Sequence, residues 1–390
     1  MSCYIASTNN RFYVAAETAY GEAPAISSEN RIPAVKLAVR QRPAGAQRRD
    51  KTGSRSFLGL PAHTRLETTF ELRTYLTNWS EPGQEPRYGP LIQAALGGAP
   101  VFFDGGTAGA GSAGKTLRFS GAHGLAEGQA VTFGGEIRFV AAVPDGSTVV
   151  LNAPFSLTPA EGSPLGETAT YTPSYGLKSV SIWDYWGPPD AVNRLVCGAG
   201  VDQMRVAVNG DFHEFVFSGA AKDVLDSSSF EAGQAGLSSF PAEPAQDGFD
   251  HAIVPGHLGQ AWIGTGPERF FTITAAEILI DNDLDLRARE FGSQWPRCLS
   301  AGLRSVTLDF DLYETDDSAT AGLYQAARQR SPVEVMFQLG QEAGQLCGVY
   351  MKSVIPEVPE FDDGENRLQW RFTSCRAQGT ADDEVTVAFG

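Results

Sequence analysis

Gly109-Ala-Gly-Ser-Ala-Gly-Lys115-Thr116 fits the phosphate-binding pattern G-x-x-x-x-G-K-[ST] at every fixed position. In such a loop backbone amides cradle phosphates, the lysine neutralises them and a following helix adds its N-terminal dipole. The surrounding residues do not supply that helix. Leu117-Arg-Phe-Ser-Gly-Ala-His-Gly124 alternates like a strand and then breaks at two glycines, so a Gly/Ala/Ser linker is expected here. Asp281-Asn-Asp283-Leu-Asp285 opens like a calcium loop. Leu286 stands where the sharp turn needs glycine, and Gly292 where a bidentate glutamate belongs, so it reads as an acidic turn at a strand end. His63, His123, His213, His251 and His257 show no HExxH or HxxxH spacing, and no G-x-S-x-G elbow occurs. Ile182-Trp-Asp-Tyr-Trp186 offers an aromatic platform for a sugar or, more simply, the stacked aromatics of a hairpin. The expectation is no catalytic residue, no metal and no cofactor: not an enzyme.

The elements that would carry these residues are mostly strands. Gly (43) and Pro (23) are abundant enough in 390 residues to demand many turns, as all-β chains do. Apolar residues at 42% and charged ones at 19% support a packed core rather than disorder. The net charge of −16 argues against a basic nucleic-acid-binding surface. No apolar run is long enough for a membrane span, and the first ten residues lack the pattern of a signal peptide. Cys3, Cys197, Cys298, Cys347 and Cys375 are odd in number and scattered, which points to a reducing compartment rather than a disulfide framework.

The strongest organising signal is an internal duplication. Leu91-Ile-Gln-Ala-Ala-Leu-Gly-Gly-Ala-Pro-Val101 aligns without gaps on Leu323-Tyr-Gln-Ala-Ala-Arg-Gln-Arg-Ser-Pro-Val333, with six of the eleven positions identical. Upstream, Thr68-Thr-Phe-Glu-Leu-Arg-Thr-Tyr75 matches Val306-Thr-Leu-Asp-Phe-Asp-Leu-Tyr313, and both alternate strictly. Leu66, Phe70, Leu72 and Leu76 oppose Glu67, Glu71 and Arg73; Val306, Leu308, Phe310 and Leu312 oppose Thr307, Asp309 and Asp311. Downstream, Cys197-Gly198 matches Cys347-Gly348, and each is followed by an aromatic strand, Phe215-Val-Phe217 and Trp370-Arg-Phe372. Short helices are expected at 90–96 and 321–330. The first copy carries about 80 extra residues, an expected small β-domain with strands at 115–119, 130–133, 136–143, 148–151 and 168–172. The division expected is an N-terminal arm (1–31), a first domain in two parts (32–102 and 173–225), the insertion (103–172), a linker (226–267) and a second domain (268–390).

The opening Arg11-Phe-Tyr-Val-Ala-Ala-Glu-Thr-Ala-Tyr-Gly21, an apolar strand running into Glu-Thr-x-Tyr-Gly, resembles the start of bacteriophage major tail tube proteins. Arg194-Leu-Val-Cys-Gly-Ala-Gly-Val201 is similar to their G-x-x-V turn, and the duplication matches the large type with two tube domains in one chain. The insertion departs from the family's minimal pattern.

This resemblance implies a mainly β chain of two tandem tail-tube sandwich or barrel domains, each with a short helix, plus the inserted β-domain. It implies a structural virion protein whose sheets join edge to edge, three chains giving a pseudo-hexameric ring, with stacked rings conducting DNA. The implied partners are further copies of the chain, tail terminator, tape measure and distal tail or baseplate proteins. Double-stranded DNA would pass without specific binding, and no membrane is involved. The implied location is the virion tail, assembled in the host bacterial cytoplasm. Glu67, Glu71, Arg73, Asp309 and Asp311 are expected to face an acidic lumen. Arg42, Arg48, Arg49, Lys51 and Arg55, in the loop 41–60, are expected at the junction between rings. The alternatives are a distal tail, baseplate or head–tail connector protein of the same fold, or a surface carbohydrate-binding β-protein.

Overall fold

The computed structural model describes residues 4–45, 50–59, 64–78, 84–188, 191–245, 251–287, 290–364 and 366–390. The fold is mainly β, with 46% of residues in strands and a sheet that curls as a half-barrel. The chain opens with strands β1 (Asn10–Ala16), β2 (Ala34–Pro43) and β3 (Leu66–Tyr75), then helix α1 (Gly89–Leu96). Next come β4 (Val101–Phe103), β5 (Thr116–Arg118), β6 (Ala130–Phe133), β7 (Glu136–Asp145), β8 (Thr148–Leu151) and β9 (Thr168–Tyr171). Then follow β10 (Ser179–Trp186), β11 (Arg194–Val208), β12 (Glu214–Ala221) and β13 (Asp223–Asp226). The second half holds β14 (Gly259–Gly264), β15 (Ile273–Asp281), β16 (Ser305–Tyr313) and helix α2 (Ser318–Gln329). It ends with β17 (Val333–Leu339), β18 (Cys347–Ile355), β19 (Gln369–Ala377) and β20 (Thr386–Phe389).

The curved inner layer runs β2–β3–β12–β11–β15–β16–β19 in unbroken antiparallel order, and the end of β18 joins its far side. An outer layer covers each half. In the first it is β1–β10–β11–β13; in the second it is β14–β17–β18–β20. Strands β11 and β18 each begin in the outer layer and end in the inner one. Between the layers lies one apolar cluster that includes Phe70, Leu72, Phe217, Ile278, Leu308, Phe310 and Phe372. The strict alternation of β3 and β16 follows from this, because one face is dry and the other wet.

Both helices have sequence reasons for their ends. Pro90 sits in the first turn of α1, where its missing N–H costs nothing. Gly97 closes that helix at φ +89°, its N–H donating to the Gln93 carbonyl. Asp317 caps α2 by accepting the Thr320 N–H at 2.7 Å.

Three segments are built differently from their sequence reading. Residues 1–31 contain β1, which pairs with β10 along its whole length. Residues 226–267 contain β14, paired with β17 over six residues. Trp262 and Ile263, on opposite faces, are both buried, so no alternation betrays this strand. The inserted segment does form its own sheet, β5–β8–β7–β6, around Leu117, Val131, Val140 and Val149. It does not hang free. Strand β9 pairs with β20 of the second half, and Phe139 stacks on Tyr350 with ring centroids 5.2 Å apart. The neighbouring Arg138 is fully buried, its guanidinium over Trp262 and Phe155; it donates to the Pro154 and Ile137 carbonyls and to Gln338 and Gln260.

Candidate assembly surface

Directly opposed residues of an antiparallel ladder project to the same side, so pairing defines a face. Glu71 opposes Ala38 and Ser218, and Arg73 opposes Lys36 and Val216. The register carries this face through Gln203 and Arg205 to Asp281 and Leu279. It continues with Glu277 opposite Asp309, Ala275 opposite Asp311, and Asp311 opposite Arg371. Glu67, Glu71, Arg73, Asp309 and Asp311 therefore share one polar face that spans both halves.

That face carries both signs of charge, with acids in modest excess. On the first-half strands Lys36, Arg40, Arg42, Arg73 and Arg205 outnumber Glu67, Glu71 and Glu214. On the second-half strands Glu277, Asp281, Asp309, Asp311, Glu360 and Asp362 outnumber Arg371 and Arg376. Over the whole face the acids exceed the bases by two. Ion pairs tie the face together: Arg42–Glu67 at 3.0 Å, Arg73–Glu71 at 2.9 Å, Arg205–Glu277 at 3.4 Å and Arg371–Asp311 at 3.4 Å. Each is solvent-exposed and contributes about 0–1 kcal/mol. Glu277 stands directly opposite Asp309, an unfavourable like-charge pair. Arg205 compensates the first, and the Ser374 N–H, 2.6 Å away, compensates the second. Sequence reasoning found the acids through alternation in β3 and β16. The same alternation in β2, β11 and β19 would have shown the arginines that partly neutralise them.

The sheet leaves two edges. Among the described residues β2 pairs only with β3. On the far side, β17 accompanies β18 only as far as Val354, and Ile355 has β19 on one flank alone.

The basic loop divides. Arg42 belongs to β2 and pairs with Glu67, whereas Arg48 and Arg49 lie outside the described residues. Lys51 and Arg55 are exposed, beside Phe57 and Leu58, whose exposure of 69% and 43% the sequence reading did not single out.

The two short motifs meet in space. Glu17 is buried, and its carboxylate accepts the Gly21 and Gly198 N–H groups, each at 2.7 Å. It also accepts the hydroxyls of Ser179 and Ser181, each at 2.6 Å. Gly198 has φ +62°, and a side chain there would strike Lys222 and Tyr20. The glutamate and both glycines thus form one joint that turns β11 between layers.

The chemical motifs resolve into turns and core. Lys115 and Thr116 lead into strand β5, so the segment 109–116 lacks the helix a phosphate loop requires. Asn282 is buried, its amide donating to the Ala95 and Val201 carbonyls, and Leu284 N–H bonds the Asp202 carboxylate. Trp183 and Tyr185 are buried in a strand paired on both sides, so of this aromatic segment only Trp186, which is half-buried, reaches the surface. Burial pushes the Cys197 thiol up to about 12 and Cys375 to about 11. Among the described residues no three His, Cys, Asp or Glu side chains gather as a metal site, and no helix is long and apolar enough to cross a membrane. No family model matches this sequence, and no curated protein matches it.

Proposed function

We propose that the protein is a structural subunit whose inner sheets join edge to edge into a ring. By its resemblance, the rings stack into a phage-type tail tube that passes double-stranded DNA. One observation carries this reading: the chain already makes the required joint once, within itself. Strand β11 of the first half pairs with β15 of the second, from Gln203↔Asp281 to Val208↔Ala276. The repeat makes β18 the counterpart of β11 and β2 the counterpart of β15. The same joint between chains would pair residues 355–358 of one with 37–40 of the next, Ile355 standing opposite Arg40.

Open edges pair indiscriminately unless blunted. Here Pro356 and Pro359 break one edge and Arg40 and Arg42 charge the other, which favours seeded over spontaneous growth. With two inner-sheet units per chain, three chains complete a pseudo-hexameric ring. The polar face would line the channel. A paired lattice of arginine and carboxylate leaves few cations to hold DNA by counterion release. The partners that follow are the chain itself and the tail proteins capping each end of the tube, in a virion tail assembled in the bacterial cytoplasm.

The test uses two single variants, Arg40→Cys and Ile355→Cys, mixed and assembled before oxidation. A disulfide-linked dimer and hollow tubes by negative-stain microscopy are expected. A protein that stays monomeric at every concentration and with every seed would overturn the reading.

A further inference from the structure

Within the chain, the connection between β15 and β16 (residues 282–304) lies across the first half. Arg65 donates to the Glu290 carbonyl at 2.8 Å, and Gln294 donates to the Thr64 carbonyl at 3.2 Å. Leu284 and Leu299 cover Gly200 so closely that a Cβ there would lie 2.7 Å from each. Pro296 is buried, and Trp295 lines one small cavity with Lys222 and Asp223. The first half thus has a seat, and the second half's loop occupies part of it, leaving a cavity of about 850 Å³ beside Thr68, Ala220 and Ala221.

The corresponding connection of the first half, between β2 and β3 (residues 44–65), is of nearly the same length. Counting back from the matched strands sets Phe57 at the place of Trp295 and Leu58 at that of Pro296. Yet residues 50–58 are exposed, Phe57 by 69%. The corresponding seat on the second half is also open. A cavity of about 1050 Å³ is floored by Val306, Lys352 and Arg376–Gln378, the counterparts of Thr68, Asp202 and Ala220–Lys222.

We infer that residues 50–59 of one chain dock into this cavity on a second copy of the same chain, with Phe57 and Leu58 as the apolar anchors. The inference rests on the ring reading, because it assigns the neighbour that reading supplies. The chemistry fits the occupant. Leu177, Leu299 and Leu303 give the cavity an apolar wall. Asp382, Asp383 and Glu334 give it acids, facing Lys51 and Arg55 of the incoming segment. Asp382 and Glu384 already hold Arg304 at 3.1 and 2.7 Å, and Lys352 and Arg376 are the other cations of the lining, so its four acids, Glu334, Asp382, Asp383 and Glu384, exceed its three bases by one. Burial raises the affinity of the Glu334 carboxyl for its proton, a cost that an incoming cation relieves.

Phe57→Cys and Gln378→Cys, made on separate chains and mixed, test the contact directly, since Gln378 is the counterpart of Lys222. Oxidation after assembly should give a linked dimer, and each variant alone should not. Phe57→Asp with Leu58→Asp should raise the concentration needed for assembly about tenfold or more while the monomer melts like wild type, because both side chains are exposed there. If the Arg40→Cys and Ile355→Cys pair links and the Phe57→Cys and Gln378→Cys pair does not, the ring stands and this docking falls. If neither pair links, both fall.

Discussion

The two halves share an order of strands but differ in what covers them. Helix α1 is apolar almost all round, with Leu91, Ile92, Ala94, Ala95 and Leu96 buried between β11 and the outer strands. Helix α2 buries only Thr320, Leu323, Ala326 and Ala327 and keeps a polar face outward. The first half's seat is partly occupied by a loop of the second half, whereas residues 50–59 of the first half line no part of the larger cavity on the second half. The polar face changes sign between them, with surplus bases on the first and surplus acids on the second. Placed side by side by a ring, each half would meet its electrostatic opposite. Repetition of a fold is therefore compatible with specialised surfaces, provided the buried positions stay equivalent.

The comparison breaks most sharply at the buried charges peculiar to each half. Arg138 ties the insertion to the second half, and Glu17 ties the first half's opening strand to β11. Arg138→Ala leaves Glu136, Gln260 and Gln338 short of partners and should cost about 3–5 kcal/mol in urea unfolding. Glu17→Ala strands four buried donors, and a loss of similar size, about 3 kcal/mol or more, is expected. A loss under about 1 kcal/mol in either variant would show that water replaces the missing group.

A smaller effect lies in the pH dependence of the same contact. Burial by itself raises the Glu136 carboxyl, but Arg138 and bonds from Ser156 and Gln260 outweigh it and hold the group below its usual value. A depressed carboxyl stabilises the fold above the unfolded-state value and loses that contribution as pH falls through the folded one. The urea midpoint should therefore drop as pH falls below about 4.5. Glu136→Gln should flatten that slope, and an unchanged slope would assign the acid sensitivity elsewhere.

Charge reversal on the polar face sharpens the functional side. Glu71→Lys with Asp309→Lys should shift stability by no more than about 1 kcal/mol, because both positions are solvated. If the proposed tube reading holds, DNA release from particles carrying this variant should slow at low salt and recover as salt screens the attraction. Release that stays unaffected at low salt would place this face away from the DNA. The smallest effect concerns the opposed acids. Asp309→Asn keeps an oxygen for the Ser374 N–H and removes the repulsion from Glu277, so a gain of about 0.2–0.5 kcal/mol is expected by thermal melting.

Much of the inner layer was legible in the sequence because a sheet with one dry face writes its burial as a period of two. Thr68 to Tyr75 and Val306 to Tyr313 are strands with the apolar sides anticipated, and the inserted strands fall within a few residues of their expected places. The outer layer was not legible in the same way. Strands β10 and β14 are covered on both faces, so Ser179–Trp186 reads as an aromatic patch and Gly259–Gly264 as linker.

What the sequence by itself determined is local: where the chain alternates, where glycine and proline turn it, and that one pattern occurs twice. Partnership between distant residues was decided only by the tertiary structure. Glu17 meets Gly198, Arg138 meets Gln338, and the acids of β16 share a face with the arginines of β2, β3 and β11. The physical reason is that periodicity records whether a residue is buried, not against what. A buried carboxylate or guanidinium is tolerated only where donors or acceptors from other elements converge on it. Such convergence is set by how the two layers and the insertion pack, which no stretch of neighbouring residues encodes.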